Sequence, residues 1–467
     1  MKLYNTLTRQ IDEIIPLQPP LITIYTCGPT VYDYAHIGHW FNYVRMDTLI
    51  RVLKASGLQT TWVMNITDVG HLVSDADDGE DKLEKGAQRE GKTAWEVAQY
   101  YTNDFLDGMR QLHMLAPDHL VKATDHIAEQ IELIKILETK GFTYIIDDGV
   151  YYDTSKFTGY SAFAGLDLDE QQASGRVQQN PQKHNPSDFA VWKFSPADRV
   201  RDMEWDSPWG KGFPGWHIEC SAMSMKYLGD TLDIHTGGID HIPVHHTNEI
   251  AQSEAATGKR FANSWFHSNH VTVNGEKISK SLGNGIRLQD ITDKGITTDA
   301  IRLHVHESHY RSQAKFSWDS LMAAQNRLHH WQSVGSLLWQ TQPLENSDSM
   351  SSLIETAQQA INHQLQNDIN TPRALKLIDE LFSEIEIQLL TDQSAAVFSE
   401  FLNYLRSVLG IDVQTDPLNN ELTKLIIERQ AARARSDWPM SDTLRGELAK
   451  QGVGIRDLPS GPIWYRL

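Results

Sequence analysis

Residues 21–27 of the chain read LITIYTC, and after Gly28 and Pro29 the chain continues to the sequence HIGH at residues 36–39. The β-branched and aromatic residues of the first stretch predict a short strand, which the glycine and the proline end. Residues 40–56 carry apolar side chains at roughly helical spacing, and residues 58–66 predict a second strand. A strand, a turn, a helix and a strand within about 45 residues predict a βαβ unit and a parallel sheet.

The pattern changes farther along the chain. Residues 93–114 and 123–140 predict helices, whereas residues 141–185 show short β-like pieces among Gly, Ser, Gln and Asp. We interpret the latter segment as an insertion between the two halves of the parallel sheet; the alternative is a loop-rich continuation of the same domain. Asn274-Gly275, between two β-like runs, predicts a tight hairpin.

Beyond residue 319 the chain has a mostly helical pattern. Helix candidates at 321–338, 352–367, 372–389 and 395–409 predict a helical bundle, and residues 421–467 predict a small separate module. The expected fold class is therefore α/β, with a Rossmann-like parallel-sheet domain. The expected boundaries are 1–114 and 206–255 for the two halves of that domain, 115–205 for the insertion, 256–320 for a linking region, 321–415 for the bundle and 416–467 for the C-terminal module.

Composition limits the kinds of protein that this chain can be. Its 467 residues are 40% hydrophobic and 22% charged, and no run approaches the roughly 18 apolar residues of a membrane helix. Two cysteines exclude a disulfide framework and fit a reducing compartment, so we expect a cytoplasmic protein with no membrane partner. Because the net charge is −19, nucleic acid should bind only at a local basic patch.

The first chemical signal is the pair of histidines His36 and His39 around Gly38. Imidazoles at positions i and i+3 near a helix start lie on one face, next to backbone N–H groups that favour anions. Gly38 lets a nucleotide approach the backbone closely. This arrangement suits ATP phosphates, with the imidazoles stabilising a pentacoordinate α-phosphorus; taken alone, the four residues could equally carry two ordinary surface histidines.

The second signal is KISKS at residues 277–281, directly after the predicted hairpin. Lys277 and Lys280, on a loop with hydroxyls and glycine, can clamp a triphosphate and neutralise charge on departing pyrophosphate. Taken alone, a Lys/Ser loop is usually a solvated turn. In this order and at this separation, however, the two motifs resemble the HIGH and KMSKS signatures of class I aminoacyl-tRNA synthetases, with Ile278 in place of the usual methionine.

The third signal is a set of potential metal ligands. Cys27 ends the first predicted strand, and Cys220 ends the sequence GWHIEC. His245 and Glu249, four residues apart, share one face of a helix. Two cysteines, a histidine and a glutamate form a chemically sensible zinc set. The cysteines are not in a CxxC pattern, so spacing alone is weak evidence, and both could be small buried apolar residues.

Further motifs lie around these residues: TCGPTVYD at 26–33, NITD at 65–68, GWHIEC at 215–220, DIH at 233–235, Gly237-Gly238 with Asp240, and HHTNE at 245–249. Together they resemble the cysteinyl-tRNA synthetases, and the resemblance covers nearly the whole chain, from YNTLT at residues 4–8 to the C-terminal module. The chain departs from the family pattern at Thr247, which replaces a carboxylate, at Pro243-Val244, which replaces a Phe-Pro order, and at Val69-Gly70-His71, which replaces Ile-Asp-Asp. We expect altered contacts around the site there, not lost catalysis.

The resemblance implies a catalytic Rossmann-like domain, a stem-contact region with the KMSKS-like loop at 256–320, and an anticodon-binding module at 416–467. It also implies one Zn²⁺ per chain, ATP with Mg²⁺, and L-cysteine and tRNA(Cys) as partners; we expect a monomer. The resemblance implies Cys27, Cys220, His245 and Glu249 as zinc ligands, and Gly28, Thr67, Trp216 and His235 as the cysteine pocket. It implies His36, His39, Lys277 and Lys280 as the residues for activation. The implied ATP-binding residues are His36, Gly38, His39, Gly237, Gly238, Asp240 and Lys280.

A zinc ion would solve the selectivity problem that cysteine poses. Serine is nearly isosteric with cysteine, and pocket shape discriminates such small differences by only about 1–3 kcal/mol. Zinc prefers a soft thiolate to a neutral hydroxyl, and it deprotonates the thiol on binding. We therefore expect the metal to recognise the substrate sulfur, without a metal-bound water that attacks and without an editing domain.

The C-terminal segment reverses the charge of the rest of the chain. Residues 421–467 contain eight Lys and Arg residues against six Asp and Glu residues, which marks a place for RNA. Arg429, Arg433 and Arg435 precede Trp438, and arginines beside an exposed indole suit unpaired bases. The alternative is a solvated basic helix with a locally packed indole. The resemblance assigns anticodon contacts to Arg435, Asp437 and Trp438.

The resulting hypothesis is an ATP-dependent ligase that forms cysteinyl-adenylate and transfers the cysteinyl group to the 3′ end of tRNA(Cys). One alternative is a ligase that joins cysteine to a small amine through the same adenylate; such an enzyme should lack the basic, Trp-bearing module. A second alternative is a non-catalytic RNA-binding paralog, which loss of His36, His39 or Lys280 would favour, although all three are present.

Overall fold

The computed structural model describes residues 1–70, 82–165, 180–196, 200–278, 283–341, 349–458 and 461–467. The strands are β1 (Lys2–Asn5), β2 (Gln10–Glu13), β3 (Leu21–Thr26), β4 (Gln59–Ile66), β5 (His119–Lys122), β6 (Thr143–Ile146), β7 (Gly149–Tyr152), β8 (Phe189–Phe194), β9 (Gly212–Pro214), β10 (Leu232–Gly238), β11 (Ala262–Ser268), β12 (Val271–Val273), β13 (Glu276–Lys277), β14 (Ala314–Phe316), β15 (Val453–Leu458) and β16 (Gly461–Arg466). The helices are α1 (Ile37–Ala55), α2 (Lys82–Glu90), α3 (Ala94–Gln111), α4 (Ile127–Thr139), α5 (Trp216–Leu228), α6 (Thr247–Thr257), α7 (Leu288–Thr292), α8 (Thr298–His306), α9 (Trp318–Gly335), α10 (Ser349–Gln366), α11 (Thr371–Gln388), α12 (Asp392–Leu409), α13 (Asn420–Ala434) and α14 (Trp438–Lys450).

A five-stranded parallel sheet, with strand order β11-β10-β3-β4-β5, organises the first part of the chain. The predicted βαβ unit is confirmed, because β3 pairs in parallel with β4, with Leu21 opposite Gln59, and α1 connects the two strands. Apolar side chains of neighbouring strands meet in one core, where Tyr25, Val63 and Trp265 are at most 1% exposed. Burial on both faces is what the continuous β-branched and aromatic run of β3 predicts.

The segment after α4 forms a separate antiparallel sheet, with strand order β6-β7-β8-β9. Val150 and Val191 of this sheet belong to the same buried cluster as Tyr25, so the inserted strands pack on the domain that they interrupt. The central sheet also extends past two expected boundaries. β5 pairs with β4 although it lies in the segment assigned to the insertion, and β11 pairs with β10 although it lies in the segment assigned to the linking region. The remaining domain boundaries stay predictions.

The chain divides into two compact units. The first comprises the described parts of Met1–His270, Ser279–Arg287 and Arg311–Gln313, and the second those of Val271–Ile278, Leu288–Tyr310 and Ala314–Leu467. In the second unit, β12 and β13 form the predicted hairpin. Asn274 and Gly275 have φ values of 52° and 86°, which is the left-handed conformation that a tight hairpin turn requires.

Helices dominate the second unit, and the four predicted bundle helices are confirmed as α9 to α12. Apolar residues at helical spacing face inward; Ile354, Ile361 and Leu365 of α10, for example, are fully buried. The C-terminal module packs α13, α14 and the β15–β16 hairpin around a small core of its own, which includes Leu448 and Trp464. None of the helices in the described ranges has the length and apolar character needed to cross a membrane.

Candidate active site

The carboxyl ends of the parallel strands bring most of the predicted site residues together within the first unit. Cys27 follows β3, Thr67 follows β4, and His235 is the central residue of β10. Ligands of open α/β sheets bind at this edge. Cys220 is contributed by α5, His245 by a short π-helical turn at Ile242–His246, and Glu249 by α6.

The four predicted metal ligands, Cys27, Cys220, His245 and Glu249, form one buried cluster. Their ligand atoms all lie within 4.8 Å of one another, and none of the four residues is more than 3% exposed. The two sulfurs are 4.0 Å apart and form no disulfide, and His245 Nε2 lies 3.4 Å from Glu249 Oε1. Two thiolates held tetrahedrally at about 2.3 Å from a zinc ion would lie about 3.8 Å apart. The residues therefore fit a tetrahedral metal site.

The electrostatics of this cluster favour positive charge at its centre. Burial alone would raise the pKa of Glu249, but His235 and His245 hold that pKa well below its usual range. Burial would lower the pKa of His245, but Glu249 and Cys220 raise it to about 10. Burial, reinforced by Cys220, raises the pKa of Cys27, whereas a hydrogen bond from the Cys27 thiol and the nearby His245 outweigh burial and lower the pKa of Cys220. A set of acidic donors that attracts a cation is what a divalent metal requires.

Side chains behind the ligands fix the turn that carries His245. The Thr247 hydroxyl donates to the carbonyl oxygen of Ile242 at 2.7 Å and so closes the π-helical turn. His217 Nδ1 lies 3.0 Å from His245 Nδ1, on the side of the ring opposite Glu249. Outer contacts of this kind orient metal ligands. Thr247, which replaces the carboxylate of the resembled family, therefore supports the turn through a neutral hydrogen bond.

The HIGH sequence begins α1, and its two imidazoles stack on each other. Their ring centroids are 3.8 Å apart at an interplanar angle of 19°. His36 Nδ1 accepts a hydrogen bond from the N–H of Gly38, and His39 Nδ1 accepts one from the N–H of His36, both at 3.1 Å. The prediction that both rings lie on one face is confirmed, and they stand at the positive end of the α1 dipole, where an anion is favoured.

The chain that follows the KISKS sequence runs beside His36. Arg287 pairs with His36 in an antiparallel bridge, and the N–H of Ile37 donates to the carbonyl oxygen of Ile286 at 2.7 Å. Lys280 lies outside the described residues. Lys277 is exposed at the end of β13, in the second unit, and its role in catalysis stays a prediction.

Gly28 lies where the end of β3 approaches β4 most closely. A Cβ atom at this position would overlap the carbonyl oxygen of Asn65. The N–H of Gly28 donates to Asn65 Oδ1 at 2.8 Å, and Asn65 Nδ2 donates to Thr67 Oγ1 at 3.0 Å. Only glycine therefore fits between these strands at this point.

The other two predicted cysteine-pocket residues lie next to the metal cluster. The Trp216 ring is half-buried, with its centroid 4.5 Å from that of His245. His235 is fully buried, and its Nε2 lies 2.9 Å from Glu249 Oε2. Contact of these two residues, and of Gly28 and Thr67, with cysteine stays a prediction.

Two glycines at the end of β10 make room for side chains of the turn that follows. A Cβ atom on Gly237 would overlap the ring of His246, and one on Gly238 would overlap the Asp240 carboxylate. Asp240 itself is exposed in the short 3₁₀ turn Ile239–His241. The predicted contacts of these residues with adenosine and ribose stay predictions.

Three buried histidines with no role predicted from the sequence lie around the four predicted metal ligands, namely His217, His246 and His267. His246 Nε2 lies 3.4 Å from Cys27 Sγ, and His246 Nδ1 lies 2.7 Å from His267 Nε2. Burial lowers the pKa of both His246 and His267. A site role could have been expected for His267, because it lies near the carboxyl end of β11, beside Gly237 of β10. Parallel strands present site residues at this end.

All three predicted RNA contacts, Arg435, Asp437 and Trp438, are exposed in the C-terminal module, whereas one member of the arginine cluster is buried. Trp438 is 53% exposed, the Arg433 guanidinium lies 5.4 Å from the centroid of its ring, and Arg435 is exposed. Arg429, which the sequence groups with Arg433 and Arg435, is buried and does not share their accessible surface. This residue is 1% exposed and donates two hydrogen bonds, of 3.0 and 2.9 Å, to Asp457, because a buried guanidinium needs an opposite charge.

Asp437 has a structural role in the same module. Its carboxylate accepts a hydrogen bond of 3.2 Å from the N–H of Met440 and caps the N-terminus of α14. The cap sets the start of the helix at Trp438, three residues after Arg435. Anticodon contact by Arg435, Asp437 and Trp438 stays a prediction.

Comparison with solved structures shows the class of fold. A crystal structure of Mycobacterium tuberculosis methionyl-tRNA synthetase bound by methionyl-adenylate superposes with a TM-score of 0.59. The superposition covers 83% of this chain and 92% of that one at 14% sequence identity. At this identity the likeness concerns the fold, and it agrees with the predicted Rossmann-like domain followed by a helical region.

Comparison with sequences is more specific. Residues 13–326 match the family model described as tRNA synthetases class I (C) catalytic domain, and residues 360–414 match the DALR domain. A cysteine--tRNA ligase of Treponema denticola is 40% identical over 494 residues, with 100% of both chains covered. Cysteine--tRNA ligase 1 of Burkholderia lata is 43% identical over 469 residues, covering 99% of this chain and 96% of the relative. The chain therefore belongs to the cysteine--tRNA ligase family of class I aminoacyl-tRNA synthetases.

Proposed function

We propose that the chain activates L-cysteine with ATP and Mg²⁺ and then transfers the cysteinyl group to the terminal ribose hydroxyl of tRNA(Cys). The observation that carries the proposal is the buried set of two thiols, an imidazole and a carboxylate at the edge of the sheet that also holds the HIGH sequence. Relatives that match over the full chain and are named cysteine--tRNA ligases support this activity.

The proposed metal is Zn²⁺, held by Cys27, Cys220, His245 and Glu249, because sulfur and nitrogen donors in tetrahedral array select it. Such an ion would supply a soft Lewis acid that prefers a thiolate to the hydroxyl of serine, so these four residues would let the site recognise the substrate sulfur. Trp216, whose ring packs near His245, would close the pocket around the substrate Cβ, together with Gly28, Thr67 and His235. Shape alone would separate the two amino acids by only about 1–3 kcal/mol.

Activation itself needs positioning and charge stabilisation rather than a protein nucleophile. A carboxylate oxygen of cysteine attacks the α-phosphorus, the bond to the leaving oxygen breaks, and pyrophosphate departs with the pair of electrons. His36 and His39 would donate hydrogen bonds to the oxygens on the pentacoordinate α-phosphorus, with the N-terminus of α1 behind them. Lys277 and Lys280 would neutralise charge on pyrophosphate, and Gly237, Gly238 and Asp240 would hold the nucleoside.

RNA recognition is assigned to the C-terminal part of the chain. Trp438, half-exposed and flanked by Arg433, offers a stacking surface for an unpaired base. Arg435 and Asp437, at the turn before α14, would hydrogen-bond base edges. We also propose that the protein works as a monomer in the cytoplasm, where its two unbridged cysteines stay reduced.

The experiment that tests the proposed function is cysteine-dependent exchange of pyrophosphate into ATP, followed by charging of tRNA(Cys). The protein should catalyse both reactions with cysteine. Exchange without consumption of the adenylate by tRNA would instead support a ligase for a small amine. Absence of exchange in a metal-loaded preparation would contradict the assignment as an enzyme.

A further inference from the structure

One glutamine side chain binds the outer edge of the C-terminal hairpin. The N–H of Trp464, in β16, donates to Gln340 Oε1 at 2.9 Å, and Gln340 Nε2 donates back to the carbonyl oxygen of Trp464 at 3.1 Å. Ser336 Oγ donates to the same carbonyl oxygen at 2.6 Å. Two residues of neighbouring antiparallel strands exchange both of their hydrogen bonds in this way, so the amide of Gln340 takes the place of a third strand.

The residues in this contact belong to two different parts of the second unit. Ser336 begins the 3₁₀ turn Ser336–Trp339 that follows α9 of the bundle, and Gln340 ends it. Trp464 belongs to the C-terminal module, where its ring is 7% exposed and packs in the same small core as Leu448. Trp464 therefore anchors the core of the module with its ring and binds the bundle with its backbone.

A second contact joins the same two parts at another point. Arg456 of β15 pairs with Glu386 of α11, and Glu386 Oε1 also lies 3.2 Å from Nε2 of His330 in α9. A single contact would let the module pivot, whereas contacts through both strands of its hairpin fix its orientation on the bundle. The indole of Trp339 is part of neither contact, because it donates to the carbonyl oxygen of Thr415, which precedes the module.

The orientation of the module determines where the proposed RNA contacts lie. Trp438 begins α14, and Arg429 ties α13 to Asp457 of β15 through two hydrogen bonds. The helices and the hairpin therefore move as one body, and the indole of Trp438, which is 53% exposed, moves with them. A binding surface that is already held in its bound position gains affinity, because binding then requires no further ordering.

We propose that Gln340 is a positioning residue for tRNA recognition. By pairing with the open edge of β16, it fixes the C-terminal module on the bundle and so holds Trp438 where an unpaired base of tRNA(Cys) stacks on it. The amide of Gln340 itself touches no RNA. This inference rests on the proposed function, since it assumes that Trp438 contacts the tRNA, but Gln340 has no part in that proposal.

The test compares variants of the full-length protein. Gln340→Leu removes both hydrogen-bonding groups at similar volume, Trp438→Ala removes the stacking surface, and a third variant combines the two changes. Gln359→Leu, at an exposed position of α10, is the control. Three quantities are measured: the KM for tRNA(Cys) in charging, cysteine-dependent pyrophosphate exchange without tRNA, and hydrogen exchange of the amides of Trp464 and of α14.

The expected effects are confined to the tRNA. Gln340→Leu should raise the KM for tRNA(Cys) about five- to tenfold, as the loss of roughly one net hydrogen bond would, and should leave pyrophosphate exchange within about twofold of wild type. The Trp464 amide should exchange faster while the amides of α14 keep their protection. In the double variant the KM should stay within about twofold of that of Trp438→Ala, because releasing the module costs nothing more once the stacking contact is gone. Gln359→Leu should behave as wild type.

An unchanged KM in Gln340→Leu, additive effects in the double variant, or a parallel fall in pyrophosphate exchange would overturn the inference. Loss of protection throughout α14 would also overturn it, since Gln340 would then support the folding of the module rather than its position. A raised KM in Trp438→Ala beside a normal KM in Gln340→Leu would contradict this inference alone. A normal KM in Trp438→Ala would contradict the proposed RNA contact, and the inference with it.

Discussion

The sulfur atoms of Cys27 and Cys220 lie 4.0 Å apart although 193 positions separate the two residues in the chain. A disulfide would require a separation near 2.05 Å, whereas two ligands of one tetrahedral zinc ion require about 3.8 Å. Cys27 follows the parallel strand β3 and Cys220 belongs to α5, which packs against β3 and β4, so the fold itself holds the two sulfurs at this distance. The separation of the two sulfurs, and with it the proposed metal site, therefore depends on the parallel sheet of the first unit.

Replacement of Cys220 by serine should separate amino-acid binding from ATP binding. The hydroxyl is a poor metal ligand, so we expect the KM for cysteine to rise by more than about 100-fold, because loss of a direct ligand should cost more than the roughly 10–100-fold that loss of an outer-sphere partner costs. The KM for ATP should change less than about twofold, because the proposed metal binds the amino acid and not the nucleotide. Pyrophosphate exchange at varied cysteine and ATP measures both constants. Ser224→Ala, in the same buried helix, is the control, and equal losses for both substrates would mean that the metal is structural.

Gly28→Ala should damage the site more than the fold. Because the new Cβ would overlap the Asn65 carbonyl oxygen, the end of β3 must move away from β4 and carry Cys27 with it. We expect a loss of about 1–3 kcal/mol in stability, as for overpacking elsewhere, and at least about a tenfold fall in kcat/KM for cysteine. Thermal unfolding and exchange kinetics measure the two effects. Gly446→Ala, in α14 with open space around it, should be neutral or slightly stabilising.

Trp438→Ala should affect RNA and leave adenylate formation intact. Loss of one stacked base is worth about 1–3 kcal/mol, so the KM for tRNA(Cys) should rise about tenfold. Cysteine-dependent exchange without tRNA should keep its wild-type rate. Trp339→Ala removes another half-exposed indole of the second unit and serves as the control. A parallel fall in exchange would show that Trp438 supports folding rather than RNA binding.

Stability of the C-terminal module should decrease in acid because of Asp457. Hydrogen bonds from Arg429 hold the pKa of the Asp457 carboxyl below its usual range. A lowered pKa in the folded state stabilises the module above the unfolded value near 3.9, and the stabilisation is lost as the pH falls through the folded value. Hydrogen exchange of the β15 amides, corrected for intrinsic rates, should therefore accelerate below about pH 4.

Asp457→Asn provides the matched test of that pH dependence. It should reduce protection of β15 at neutral pH by about 1–2 kcal/mol, because Arg429 is left buried with a weaker partner and Asp457 is itself partly exposed. The variant should also show a smaller change in protection between pH 6 and pH 3. An unchanged acid response in Asp457→Asn would assign the effect to other carboxylates.

Local sequence patterns were sufficient to predict the βαβ unit and to place the metal-ligand candidates His245 and Glu249 on one helix face. A β-branched and aromatic run predicted β3, apolar residues at helical spacing predicted α1, and the i, i+4 spacing of His245 and Glu249 placed these two on one helix face. These features depend on residues close in sequence, where periodicity and capping determine the structure. The resemblance to a family then supplied the pairing of Cys27 with Cys220, which spacing alone did not.

Features that depend on distant pairing were missed. β5 is only four residues long and is identified by its partner β4 rather than by its own composition. Arg429 looked like its neighbours Arg433 and Arg435, because the helix pattern does not reveal that Asp457 of a later strand lies against it. The same reason explains why Gln340 could not be connected with Trp464, which lies 124 positions farther along the chain.

The central claim is that a metal held by Cys27, Cys220, His245 and Glu249 selects the amino acid through its sulfur. The most direct test is pyrophosphate exchange with cysteine and with serine, before and after removal of metal by a chelator and restoration with Zn²⁺. We expect a preference for cysteine above about 1,000-fold, beyond the roughly 10–200-fold that pocket shape supplies, lost without metal and recovered with one Zn²⁺ per chain. A preference that survives complete removal of the metal, or activation of serine within about tenfold of cysteine by the zinc-loaded protein, would contradict the account.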